Sequence, residues 1–274
     1  MNLNFFKLRN IILLLPLLCS TFHALGQKKG FDNLSWFDDR KLHFGFYLGL
    51  NTMDYRLSSF KSVYDNPVVQ QQMVSNPAFS PAQLQQIYKG KSTFGAEVYQ
   101  IMPGFTVGGV INLRLGRDFD LRFTPGMSLG SRHFTYIPVK DFIDPSVYNS
   151  TGQNESTYLS TASYYVDLPL GIRYKGFRHR NLRPYIYSGF AYRPDLANKK
   201  ISESVVHLKK NGGYAEIGFG LDSYLEYFRF TAEFRFSYGL NNLIRHDVTD
   251  PIPYYGYIFK ELYSNIFTLI LYFE

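Results

Sequence analysis

Cysteine is almost absent from this chain of 274 residues, since Cys19 is the only one. It lies in a segment that we expect to be removed, which leaves no disulfide framework, thiolate metal site or catalytic thiol. No apolar run approaches the roughly 20 residues that a membrane-spanning helix needs. The chain also lacks a phosphate-binding loop, a dinucleotide fingerprint, metal-ligand spacing and a hydrolase elbow. We therefore expect no metal, no cofactor and no small-molecule substrate.

The first 26 residues predict a secretory signal peptide. A basic start with Lys7 and Arg9 precedes an apolar run from Ile11 to Leu18, and the small residues of Ala24-Leu25-Gly26 follow before Gln27. We expect residues 1–26 to be cleaved, residues 27–40 to form a polar periplasmic lead-in, and residues 41–274 to form the folded domain.

Aromatic residues are abundant, at 18% of the chain, with 23 Tyr and 25 Phe against one Trp. This content is heavy for a soluble enzyme but natural where rings form girdles at a lipid–water boundary. The formal net charge of +7 indicates basic turns near anionic lipid headgroups, because no basic patch of a nucleic-acid-binding fold is present.

Alternation of apolar and polar residues with period two predicts eight strands, in which one face meets lipid and the other meets a lumen. The fifth has no defined phase, because Tyr185 and Tyr187 compete with Ile186 and Phe190 for the outward face. The segments are Leu42 to Leu50, Phe105 to Leu115, Phe119 to Leu129, Tyr164 to Tyr174, Pro184 to Tyr192, Ala215 to Leu221, Phe228 to Tyr238 and Tyr263 to Phe273.

The connections between these segments alternate strictly between long and short. This order predicts an all-β, eight-stranded antiparallel transmembrane β-barrel with long extracellular loops and short periplasmic turns, in the outer membrane of a Gram-negative bacterium. A soluble sandwich is the alternative fold, but it gives no reason to sort loops by length. In the first long loop, Ser80 to Ile87 predicts a short helix with Pro81 in its first turn.

The inward positions carry charges of both signs. A barrel of eight strands is just wide enough for its side chains to fill it, and unpaired buried charges are costly, so these groups predict a salt-bridged plug. Selective conduction through the lumen is the alternative. The predicted network consists of Arg114, Asp120, Arg122, Asp167, Arg173, Glu216, Asp222, Arg229, Glu233 and Arg235.

Two isolated pairs are the candidates for catalysis at the extracellular rim. Ser131 lies near His133 beyond the third strand, and His246 precedes Asp247 in the last long loop. Neither pair has a catalytic motif around it, and a rim histidine is more often a surface hydrogen-bonding residue. We therefore predict no catalytic site.

Five stretches resemble the PorT family. They are HFGFYLGLN (His43 to Asn51), LRLGRDFDLRFTPG (Leu113 to Gly126), RPYIYSG (Arg183 to Gly189), EIGFGLDSYLEYFRFTAEFRFSYGLNN (Glu216 to Asn242) and IFTLILYFE (Ile266 to Glu274). The resemblance covers the chain from about residue 40 onwards.

The PorT family comprises outer-membrane barrels of Bacteroidota that are tied to type IX secretion and, in gliding species, to motility. The resemblance implies a non-enzymatic component of protein export whose partners are outer-membrane lipid and type IX secretion components, with no catalytic residues to carry over. A passive structural or adhesive barrel and a rim enzyme acting on lipid or peptide are the other hypotheses.

Overall fold

The computed structural model describes residues 33–60, 65–67, 70–71, 94–138, 157–196, 208–244 and 259–274. The signal peptide, the helix predicted over Ser80 to Ile87, and His246 with Asp247 lie outside these residues, and cleavage before Gln27 stays a prediction. None of the described helical segments is long and apolar enough to cross a membrane.

Ten strand segments lie within the described residues, and all their pairings in the sheet are antiparallel. They are β1 (Leu42–Ser59), β2 (Phe94–Ile101), β3 (Pro103–Arg114), β4 (Phe119–Phe123), β5 (Gly126–Pro138), β6 (Thr157–Lys175), β7 (Leu182–Pro194), β8 (Asn211–Tyr224), β9 (Arg229–Gly239) and β10 (Phe259–Phe273).

The sheet closes on itself, because β1 pairs with β10 on one side and with β3 on the other. From β10 the order runs through β9, β8, β7 and β6 to β4 and β5, which pair with β3. Over this paired stretch, residues 42–52 of β1 against 103–113 of β3, closure removes the free edges that an open sheet would expose, whereas β2 pairs only with β5 among the described strands. The prediction of an all-β antiparallel barrel is confirmed.

The ten segments occupy eight positions around this closed sheet. β4 and β5 share one register against β6, with Arg122 opposite Gly171 before the break and Ser128 opposite Tyr165 after it. The break falls at Pro125, which has no N–H to donate to a neighbouring strand. Backbone bonding continues there nonetheless, since the Gly109 N–H donates to the Pro125 carbonyl at 2.9 Å. The neighbouring strand position in the sheet is shared by β2 and β3. These two segments are separated only by Met102, and both pair with β5.

Short and long connections lie at opposite ends of the barrel. We call the end with the connections 115–118, 176–181 and 225–228 the short-turn end. The connections 60–93, 139–156, 195–210 and 240–258 lie at the other end, the long-loop end. This is the alternation that the sequence predicted.

Period-two patterning gives the barrel an apolar exterior. Leu50 is 59% exposed, Phe219 is 63% exposed and Phe234 is 52% exposed, whereas their strand neighbours face inward. The structure also settles the phase of β7, where Tyr185 and Tyr187 are buried inside and Ile186 and Phe190 face outward. Tyrosine faces inward here because its hydroxyl finds charged partners in the interior.

Paired glycines let tyrosine rings lie flat against the inner wall. Gly171 pairs with Gly189 across β6 and β7, and the Tyr187 side chain lies over both, with ring carbons next to Gly171 and the hydroxyl next to Gly189. A methyl group at Gly171 would stand 2.6 Å from two ring carbons of Tyr187 and 2.6 Å from the Ser188 carbonyl oxygen. Only glycine at this position permits such close approach.

Gly171→Ala is therefore expected to lower the free energy of unfolding by about 1–3 kcal/mol, the usual cost of overpacking. The matched control is Gly109→Ala, since a methyl group there would meet only the Gly45 carbonyl oxygen, at 3.8 Å. Urea unfolding in lipid vesicles measures both variants. Equal midpoints for the two would mean that the ring is not held against the glycine pair.

Candidate functional site in the barrel interior

The structure brings nine of the ten predicted charged residues together inside the barrel, where their period-two positions on four strands, β4, β6, β8 and β9, face inward. All nine are buried. They are Asp120, Arg122, Asp167, Arg173, Glu216, Asp222, Arg229, Glu233 and Arg235.

At the short-turn end, two carboxylates are held between three cations. The Lys175 Nζ atom lies 2.6 Å from Asp120 Oδ1, and an Arg173 nitrogen lies 3.7 Å from the other oxygen of Asp120. Arg173 also lies 2.6 Å from Asp222, which accepts a further bond from the Thr231 hydroxyl at 2.7 Å. The Arg229 guanidinium approaches Asp222 to 3.9 Å.

Nearer the middle of the barrel, Glu274 and Glu233 link three arginines. The Glu274 carboxylate accepts from Arg122 at 2.6 Å and also bonds Arg229. Arg122 lies 3.5 Å from Glu233, which in turn lies 2.6 Å from Arg235. These side chains are at most 3% exposed, so the pairs lie away from water.

Towards the long-loop end, the network continues through Glu216 and Asp167. Glu216 lies 3.3 Å from Arg235 and 2.6 Å from Arg193, and it accepts from the Ser237 hydroxyl at 2.8 Å. Arg193 reaches Asp167 at 2.6 Å, and the Ser128 hydroxyl bonds the same carboxylate. Each carboxylate of the network therefore has at least one cationic partner, which offsets part of the cost of burying it.

Tyrosine rings stack on the buried guanidiniums. The Arg173 Cζ atom lies 3.7 Å from the Tyr185 ring centroid, and Arg235 lies 4.0 Å from Tyr187. Such cation–π contacts strengthen when they are removed from water. The sequence analysis attributed the aromatic content to interfacial girdles, and this was incomplete, because Tyr47, Tyr185, Tyr187, Tyr214, Tyr224 and Tyr272 are buried in the interior.

Arg114 was wrongly placed in the network. It is the last residue of β3, and its side chain is 29% exposed at the short-turn end. Its Nε atom donates to the Gly116 carbonyl at 2.9 Å, and Nη1 lies 3.7 Å from Asp39 in the lead-in. The period-two pattern predicted the face of Arg114 correctly, but the side chain of a residue at the end of a strand can point out of the lumen.

The sequence analysis missed three charged residues of the interior: Lys175, Arg193 and Glu274. Arg193 lies in β7, and because the sequence did not define which face of β7 points inward, Arg193 could not be placed in the interior. Glu274 continues the inward set of β10 two residues beyond Tyr272, and Lys175 follows Arg173 by the same interval. Extending the period to the strand ends would have predicted both.

The lead-in lies against the short-turn end. Asp38 accepts from the Tyr224 hydroxyl at 2.8 and 2.9 Å and lies 3.3 Å from Arg183 and 3.7 Å from Arg178. Phe37 is buried and stacks on His43, with ring centroids 4.3 Å apart. The basic residues of the turn 176–181 and its flanks thus hold the chain's own lead-in, whereas Arg180 remains exposed.

An apolar cluster fills the interior near the long-loop end. Tyr55, Leu243, Ile244, Phe259 and Leu262 are all buried there and pack together. The described interior is therefore covered by Phe37 and the lead-in at one end and by this cluster at the other.

A small cavity lies in the described interior beside Asp167 and Arg193, with a volume of about 10 Å³. That volume is about the minimum that one water molecule needs. Thr106, Ser128, Asp167 and Arg193 line this cavity. Arg193 Nη1 has no hydrogen-bond partner in the described interior, so a water molecule there would have polar partners.

Of the two rim pairs, only Ser131 and His133 lie within the described residues. Ser131 is half-buried and has interaction partners, and only the backbone of His133 is placed, opposite Ser160 of β6 and Gln100 of β2. Across the described ranges, no group of three or more His, Cys, Asp or Glu side chains is arranged to hold a metal ion.

Comparisons with known proteins give a family match over most of the chain. A family model described as "Outer membrane protein beta-barrel domain" matches residues 26–245. The N-terminal β-barrel domain of OprF from Pseudomonas aeruginosa is similar at 14% identity and a TM-score of 0.33, covering 83% of this chain and 97% of that one. The outer membrane protein OprG from Pseudomonas aeruginosa is similar at 11% identity and a TM-score of 0.42, covering 84% and 91%. Among curated proteins, no sequence matches this chain.

Proposed function

Since this chain belongs to the outer membrane protein β-barrel domain family, we propose that it is a non-enzymatic barrel required for protein export by the type IX secretion system, and for gliding in species that glide. The proposal includes a structural role for the charge network, which fills the lumen.

The protein is located in the outer membrane of a Gram-negative bacterium. In bacterial barrels short turns face the periplasm and long loops face the exterior. The lead-in and Arg180 therefore lie on the periplasmic side.

The filled interior is the observation that carries the mechanistic part of the proposal. Buried ion pairs, tyrosine rings and the apolar cluster occupy the lumen of the described barrel, so a protein substrate has no path through it. Any contribution to export must then come from surfaces: the long loops, the short turns or the lead-in. The PorT resemblance supplies the link to type IX secretion, and no chemistry of individual residues supplies it.

The short-turn end offers the clearest surface for a periplasmic partner. Phe177 is 89% exposed in the turn 176–181, and Tyr227 is 87% exposed in the turn 225–228. Exposed aromatic side chains and arginine are enriched among residues that dominate binding energy at protein interfaces. We therefore assign contact with secretion components to this end.

A passive structural or adhesive barrel remains the alternative function. A sealed lumen is equally compatible with this passive role. The surfaces of the barrel would then contact only lipid or extracellular material. Export of cargo separates the two functions directly.

Deletion of the gene is expected to trap type IX cargo in the periplasm, to abolish gliding where it occurs, and to leave the outer membrane largely intact. Cell fractionation and immunoblotting of a cargo protein measure this. Complementation with the double variant Phe177→Ala and Tyr227→Ala should restore less secretion than Leu196→Ala, a matched exposed residue at the long-loop end. Normal cargo secretion in the clean deletion strain would reject the secretion role and leave the passive barrel.

A further inference from the structure

The outward side chains of the adjacent strands β1 and β10 change from apolar to polar or charged towards the long-loop end. On β1 the exposed apolar series ends at Leu50, and Asp54 and Arg56 follow on the same face. On β10, exposed Phe267 is succeeded towards the same end by Asn265 and Tyr263, which pair with Asp54 and Arg56. A transmembrane strand needs only about 9–11 residues to cross the hydrocarbon, whereas β1 has 18. Arg56 therefore lies in the headgroup zone of the outer leaflet.

The Arg56 guanidinium is held by aromatic rings rather than by an acid. Its Cζ atom lies 4.4 Å from the Tyr238 ring centroid and 4.6 Å from the Tyr263 ring centroid. Asp54 and Glu261 share this face, yet neither forms an ion pair with Arg56 within the described residues. Stacking on ring faces leaves the in-plane N–H donors of a guanidinium free to bind an anion.

Three more cations lie at the same end on neighbouring positions of the sheet. Lys260 belongs to β10, and Lys209 and Lys210 directly precede β8. All three are exposed. Because β1, β10, β9 and β8 are consecutive in the sheet, Arg56 and these three lysines lie at the same end of one side of the barrel. They outnumber the acids Asp54 and Glu261 of that face, and we call this set the cationic rim.

An apolar groove lies below this rim, on the outward face of the same strands. It has a volume of about 800 Å³, and its lining includes Leu50, Ile217, Phe219, Phe234, Phe236 and Phe267. The lining side chains are those that face the hydrocarbon of the bilayer. A cationic rim directly above an apolar groove matches a lipid that carries both phosphate and several acyl chains.

We propose that this face binds the lipid A portion of lipopolysaccharide, with its phosphate at Arg56 and the lysine rim and its acyl chains in the groove. Lipid A is the phosphorylated, multiply acylated glycolipid of the outer leaflet, where this rim lies. A planar guanidinium suits bidentate bonds to phosphate, which gives Arg56 the main part in recognition.

Native mass spectrometry of the purified full-length mature protein tests the site with three defined lipids: bisphosphorylated lipid A, the same lipid A without phosphates, and phosphatidylglycerol. Bisphosphorylated lipid A is expected to remain bound, and loss of its phosphates should weaken binding on the order of tenfold. Arg56→Gln should weaken binding of bisphosphorylated lipid A to a similar degree. Arg180→Gln, an exposed arginine at the opposite end, is the matched control and should change nothing.

Ile217→Trp tests the groove, because it adds bulk there without changing charge, and it should also reduce retention of bisphosphorylated lipid A. Heat-modifiable migration on a gel confirms that each variant is folded. Equal retention of phosphatidylglycerol and lipid A would overturn the proposal in favour of nonspecific anionic attraction. Unchanged binding by Arg56→Gln would overturn it as well.

Discussion

Replacing Arg122 with alanine is expected to lower the free energy of unfolding by about 3–5 kcal/mol, because it leaves buried carboxylates without their partner. Arg122 is fully buried and lies 2.6 Å from Glu274 and 3.5 Å from Glu233. Its guanidinium also lies 4.4 Å from the Tyr272 ring centroid. Urea unfolding of the barrel in lipid vesicles, followed by heat-modifiable migration, measures the change.

Arg114→Ala is the matched control, since it removes the same side chain from the partly exposed end of β3 and should cost less than about 1 kcal/mol. A second comparison uses the double variant Arg122→Ala with Glu274→Gln. Because the glutamine no longer carries an unpaired charge, the double variant should lose less than the sum of the single losses. If Arg122→Ala unfolds at the midpoint of the unchanged protein, the interior is hydrated rather than dry.

Placing arginine at Phe234 is expected to cost about 2–4 kcal/mol, the penalty for a cation facing lipid near the bilayer midplane. Phe234 is 52% exposed on the outward face of β9, and its ring stacks with Phe219 at 5.3 Å between centroids. The same vesicle assay measures the loss.

Leu240→Arg serves as the control on the same face, directly after the end of β9. Leu240 is 50% exposed and lies six residues nearer the long-loop end, where the penalty should fall to about 0–1 kcal/mol. A larger loss at Leu240 than at Phe234 would mean that the bilayer midplane lies elsewhere on the barrel.

Most of the fold could be predicted from the sequence because a membrane barrel repeats one simple rule. Lipid on one side and a filled lumen on the other force every strand into period two, and β9 follows the pattern from Phe230 to Tyr238. The rule left the phase of β7 open, and the structure shows that Tyr185 and Tyr187 face inward. An aromatic ring with a polar tip fits either environment, so its face depends on partners across the barrel that the sequence does not place in space.

The residue types that fill the charged interior could be predicted from the sequence, but the ion pairs between them could not. Arg193 pairs with Asp167 and Glu216, which come from two different strands. Arg114 shares the inward phase and yet leaves the lumen, because its strand ends there. The division of one sheet position at Pro125 was likewise missed, since apolar alternation continues across the break while the backbone donor is lost.

The position of the lead-in was the least predictable part. Its sequence predicted only a polar periplasmic lead-in, whereas Asp38 is bound by Tyr224 and Arg183 and Phe37 is buried against His43. The contacts of Asp38 join residues distant in sequence, and no local pattern predicts them. They restrict the free periplasmic surface near the lead-in to residues such as Arg180 and Phe177.

Single-channel recording of the purified mature protein in planar lipid bilayers tests most directly the claim that the interior is sealed and that function lies on the surfaces. The ion pairs, the apolar cluster and the lead-in predict bilayers that contain folded protein but show no steady conductance. A steady, reproducible single-channel conductance would contradict the claim, because it would require a continuous water-filled path through the barrel.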